Sequence, residues 1–176
     1  ASAIETEDIS SLTTAQIQKL ATSSIVNMST DQIVAMSATQ FAAMLTKQIS
    51  NLGSEQVSAL QTSDLAGMTT KQVKSLGSQQ VSALTTELLA SLDTTQIVAL
   101  QTHDISLGLT STESIAAFTA AQIGAFATKQ LKIFSSSQIN AIETSDISGL
   151  TTKQITALNT AALFQGLNTE QIDAMS

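Results

Sequence analysis

An eight-residue pattern returns from one end of this chain to the other, and nothing else in the sequence constrains the fold as strongly. Cut after each large apolar residue, the chain falls into octads such as TTAQIQKL (13–20), STDQIVAM (29–36), GSEQVSAL (53–60), TTKQVKSL (69–76), DTTQIVAL (93–100), TTKQITAL (151–158) and NTEQIDAM (168–175). The parse gives 21 units, with Ala1 to Ile4 and Ser176 left over. A fixed short period means one small unit stacked on copies of itself, so residues 1–176 read as one elongated repeat domain. Such a design argues against a single dedicated active site.

Within the octad, position 5 is Ile, Val, Leu or Phe and position 8 is Leu, Met, Phe or Ile. Position 7 is mostly small, as at Ala35, Ala59, Gly67, Ser75 and Ala99. Position 2 is Thr or Ser in almost all units, with Ala38 and Ala120 as clear exceptions. Position 4 is usually Gln, replaced by Asp at Asp8, Asp64, Asp104 and Asp146. Position 3 collects much of the charge, for example Lys47, Glu55, Lys71, Glu87, Lys129, Lys153 and Glu170.

The apolar spacing alternates three and five, which excludes long regular elements. Eight residues at about 100° each overshoot two helical turns by about 80°, so the apolar stripe of one long helix would spiral away from any core. In one long strand, positions 5 and 8 would point to opposite faces. The chain must therefore turn once per octad. The unit reads as a short helix plus a corner: an apolar residue at position 8, a Ser/Thr-type cap, Gln three residues later and Ile next, which joins a capping box to a hydrophobic staple. Position 1 and the Thr at position 2 compete for the cap. Ala, Leu, Met, Gln and Lys in the second half favour helix, and helices this short need stacking to survive. The expected fold is an all-α solenoid of about 21 eight-residue repeats. The alternative is a β-solenoid with Thr and Gln ladders; seven Gly and no Pro are few for its many tight corners.

Three units run to nine residues, QTHDISLGL (101–109), TSTESIAAF (110–118) and NTAALFQGL (159–167). An extra residue is expected to bulge or re-aim the solenoid there. Phe118, Phe126 and Phe134 fill position 8 of three successive units and read as a thicker patch of core rather than a ligand-binding strip. His103, the only His, falls at an outward position and reads as solvated, and the four Asp read as structural. Asn27 begins a glycosylation sequon.

Composition narrows the function. The net charge is -7, all seven basic residues are Lys, and Arg, Trp and Tyr are absent, which removes the usual means of gripping phosphate or stacking bases. Nucleic acid is not an expected partner. The absence of Cys removes disulfides and thiolate metal sites. No apolar run approaches the length of a membrane span. No nucleophile, acid–base, phosphate-cradling or metal motif is present, so no catalysis, cofactor or metal is expected.

Solenoids that live alone end in atypical capping repeats, whereas NTEQIDAM is an ordinary octad and Ala1 to Ile4 resembles the back half of one. The end faces, with Ile4, Ile9 and Leu12 at one end and Leu167, Ile172 and Met175 at the other, are the candidate self-association residues. Three explanations fit uncapped ends: a chain cut from a larger protein, other domains that cap it, or copies joined head to tail. The last, the expected one, is a heterologous contact that extends into a filament unless it closes a ring. TTKQITAL and GSEQVSAL resemble the T-x-x-Q-I-x-A-L runs of long secreted or surface adhesin-like proteins of Gram-negative bacteria. That resemblance implies an extracellular, cell-surface role and supplies no site residues. The expected function is therefore a structural protein that binds more of itself in a filament or surface layer. The alternative is an adhesin-type module whose outer Thr, Ser and Lys rows contact a surface glycan or cell-envelope component.

Overall fold

The computed structural model describes residues 5–158 and 166–174. Among them are twenty short helices, from Thr6–Ser11 to Thr169–Ala174, and no strand. The fold is the all-α solenoid, with one helix per unit: the first nineteen fall in units 1 to 19 and the last in unit 21. They run from four residues (Thr46–Ile49) to seven (Thr102–Gly108).

Each helix begins at position 2, which settles the cap at position 1. The hydroxyls of Thr13, Ser29, Ser37, Thr69 and Thr119 accept the N–H of the Gln at position 4, and the Gln side chain accepts the cap's N–H in return. Where position 1 has no side-chain acceptor, as at Leu45, Gly53 and Ala127, the Gln still takes that N–H, at 2.7–2.8 Å. The helix opens with position 5 donating to the position-1 carbonyl and closes with position 8 donating to the position-5 carbonyl, as Ile17 to Thr13 and Leu20 to Ile17 do. Two extended residues then make the corner, for example Leu20 (φ -61, ψ 131) and Ala21 (φ -63, ψ 147). No described residue has positive φ, so these corners need neither Gly nor Pro. Scarce Gly, which counts against a β-solenoid, is what this corner allows.

Helices three units apart pack on one another throughout the described residues. Three octads therefore make one turn of a three-sided solenoid, and the helices stack as three faces. Position 5 is fully buried from Ile9 through Ile147, and position 8 closes the same core, including Met36, Leu76 and Leu100. Phe118, Phe126 and Phe134 are buried there with edge-on rings, 5.3 Å and 5.4 Å between centroids, worth about 0.5–1.5 kcal/mol per pair beyond burial. They belong to the core.

The small residue at position 7 faces position 2 of the unit three earlier. An added Cβ on Gly67 would meet Ala38, and one on Gly149 would lie 2.1 Å from the Ala120 carbonyl oxygen. Ala38 and Ala120 are the two departures from Ser/Thr at position 2, and each faces a Gly. Small residues on both sides let these helix pairs approach closely.

The nine-residue units do not interrupt the stacking. In 101–109 the extra residue lengthens the helix by part of a turn: Leu109 donates to Ile105, four residues back rather than three, and Leu107 projects outward. In 110–118 it is Thr110, an added corner residue before the cap Ser111. The expected bulge is thus absorbed locally in both. The third such unit, 159–167, lies mostly outside the described residues.

Candidate functional site

The side chain that repeats most exactingly is the Gln at position 4. Its Oε1 faces its own helix, accepting the cap N–H. From unit 5 onward its Nε2 crosses the corner to the unit four earlier, which ends beneath it, and donates to the position-8 carbonyl and, in most units, to that at position 5. Gln138 reaches only Leu109, and Gln154 takes Gly124 at position 6 with Phe126. Gln40 reaches Ile9 and Leu12, Gln48 reaches Ile17 and Leu20, and Gln96 reaches Leu65 and Met68, all at 2.8–2.9 Å. One amide therefore caps the start of one helix and the end of another, where the position-5 carbonyl already accepts the position-8 N–H and the position-8 carbonyl gains its partner from the Gln. Glu satisfies a capping box equally well, but it cannot donate to two buried carbonyls.

The clamp counts units, not residues. Gln96 bridges 31 and 28 residues, whereas Gln122 and Gln130, beyond both described nine-residue units, bridge 33 and 30. In every case the partner is the fourth unit back.

Where Asp replaces Gln the clamp is rebuilt. Asp64 and Asp104 are buried, and the Asp64 carboxylate accepts the Gln61 N–H. In these two units position 1 is Gln: Gln61 donates to the Val34 carbonyl and Gln101 to that of Lys74. Asp104 also receives the Ser78 hydroxyl and the Gln101 amide. Burial raises the Asp64 pKa above its ordinary value. Asp93, a cap, is held below its ordinary value by the Thr95 hydroxyl and the Gln96 N–H. Asp8 is exposed and Asp146 half-buried. Among the described residues no group of three or more His, Asp or Glu could hold a metal ion, and no helix is long and apolar enough to cross a membrane.

The two end turns differ because positions 5 and 8 are covered from opposite sides. Ile9 is fully buried even in unit 1, beneath the units that follow, so it is not part of the first-turn face. Leu12 and Leu20 are half-exposed there, and Gln16, with no described unit four earlier, is exposed. In the closing turn position 5 opens as well: Ile155 is half-buried and Ile172 is 54% exposed, while Leu167, at position 8, is half-buried as Leu12 and Leu20 are. Ile4 and Met175 lie outside the described residues. Only the closing turn opens position 5 among the described residues, and only the first turn leaves a position-4 Gln, Gln16, exposed with no described unit four earlier.

Three segments of the chain, residues 1–38, 57–94 and 139–176, match the ALTTAQ repeat, and together they span more than half of it. The chain belongs to the ALTTAQ repeat family. Each matched segment holds an Asp at the same place, Asp8, Asp64 and Asp146, so the three matches of nearly five octads share one register. The adjoining nine-residue units 101–109 and 110–118 fall outside the matched ALTTAQ segments. No curated protein matches the chain.

Proposed function

We propose that this ALTTAQ repeat protein is a structural element that stacks head to tail on copies of itself, forming a filament or surface layer outside the cell. The uniform stacking carries the reading: helices three units apart pack on one another throughout the described residues, so one octad is a surface for another. Position 5 is inaccessible in units 1 through 18 and opens only in the closing turn. An octad laid on that turn would cover Ile172 as later units cover Ile9. The half-exposed Leu12 and Leu20 and the exposed Gln16 amide, on the opposite end, are the matching half of the same contact. A heterologous contact of this kind repeats indefinitely unless its rotation closes.

Negative-stain imaging of the purified chain over a concentration series tests this directly. Unbranched fibres one solenoid wide are expected, and Ile172→Lys should abolish them while changing stability by no more than about 0.5 kcal/mol, because the site is exposed. Dispersed particles at every concentration would overturn the reading. They would favour a binding module whose outer Thr, Ser and Lys rows contact a glycan or envelope component.

A further inference from the structure

The three faces carry unlike charge patterns along the solenoid axis. On the face formed by units 1, 4, 7, 10, 13, 16 and 19, position 3 is occupied in order by Glu7, Asp31, Glu55, Gln79, His103, Lys129 and Lys153. All seven are exposed. Three carboxylates precede a neutral centre and three basic side chains follow it. Glu5 and Asp8 reinforce the acidic end, and Lys132 the basic end; Asp104, in the basic half, is buried and held by Ser78 and Gln101.

The second face shows Glu87 and Glu113 at position 3 and no basic residue there among its described units. The third shows Lys47 and Lys71 early and Glu170 late; turned end for end, these fall opposite Ser145, Ala121 and Ser23. Only the first face is its own complement when reversed.

From this we infer that the face bearing Glu7 to Lys153 binds a second copy of the chain, antiparallel and side by side, with the two-fold axis at Gln79. Glu7 then meets Lys153 of the second copy, Asp31 meets Lys129 and Glu55 meets His103, and each contact occurs twice. The contact is isologous, as closed dimers require. The spacing matches without adjustment, because both copies advance by one turn per charged residue. Val34 and Leu107, two of the large apolar side chains left exposed, sit on the same face and add apolar contact inside the charged rows. Exposed ion pairs are individually weak and screened by salt, so the pairing is reversible and sensitive to ionic strength. It is independent of end-to-end stacking, which buries apolar residues at the solenoid ends.

The test isolates lateral pairing in an Ile172→Lys background, which blocks end stacking and leaves this face intact. Sedimentation equilibrium should show dimers at low salt and an at least ~10-fold weaker association at ~0.5 M salt. Two variants reverse opposite halves of the face, His103→Glu with Lys129→Glu, and Asp31→Lys with Glu55→Lys. Position 3 accepts either sign elsewhere, as Lys47 and Glu87 show. Each variant alone should stay monomeric, and a 1:1 mixture should dimerise. Association unaffected by salt, a mixture no better than its components, or a His103→Glu/Lys129→Glu variant that pairs like the parent would overturn the proposal. The last outcome would point instead to parallel packing of the first face on the third.

Discussion

At the residue scale, the position-4 Gln is where the repeat is most demanding. Its two ends are used differently: Oε1 serves its own cap and Nε2 the corner beneath. Gln72 donates to the carbonyls of Phe41 and Met44, both at 2.8 Å, and is buried. Gln72→Glu keeps the acceptor, loses the donor and places a carboxylate against two carbonyls; a loss of about 2–4 kcal/mol in urea unfolding is expected. Gln16→Glu, at an exposed side chain, should change stability by less than about 0.5 kcal/mol. Asp64 gives a test of opposite sign. Burial raises its pKa, so ionisation is harder in the folded chain than in the unfolded one, and stability falls as pH rises from the ordinary value of 3.8 through the raised one. Asp64→Asn should therefore raise the melting temperature at neutral pH and lose that advantage in acid below about pH 4. For Asp93, whose pKa is lowered, stability is present above the ordinary value and lost as pH falls.

At the scale of the element, helix and corner were legible because capping chemistry is local. The Leu-Thr-x-x-Gln-Ile entry named the helix, and the three–five spacing required a turn in every octad. Position 1 against position 2 stayed open in sequence because both are hydroxyl-rich; the backbone decides it, since position 2 is already helical. The reason for a small position 7 was hidden, because its partner lies three units back. That contact gives a sharp contrast between glycines. A Cβ on Gly149 would collide with the Ala120 carbonyl, whereas one on Gly53 meets only the Gln56 side chain at 3.7 Å. Gly149→Ala should cost about 1–3 kcal/mol. Gly53→Ser supplies a missing cap and should cost nothing or add a few tenths of a kcal/mol. Thermal melts of the two variants side by side check both.

For the whole molecule, three octads per turn could not be read from the chain, since the period of the sequence is the unit and not the turn. The Gln clamp offered one indirect signal: a capping box takes Gln or Glu, and a repeat that insists on Gln needs a donor as well. The nine-residue units break the count of residues but not the count of helices, and the stack follows the helices. Excising one full turn, residues 69–92, should accordingly leave helicity per residue unchanged in circular dichroism and unfolding cooperative, because each face is rejoined to itself. Nearest-neighbour stability of this kind also implies that the end turns accept further octads. Sedimentation velocity of the unmodified chain at about 0.5 M salt, where lateral ion pairs are screened, tests that most directly. Mean mass that keeps rising with concentration, and collapses to the monomer in Ile172→Lys, is the predicted result; a monomer mass at every concentration would contradict it.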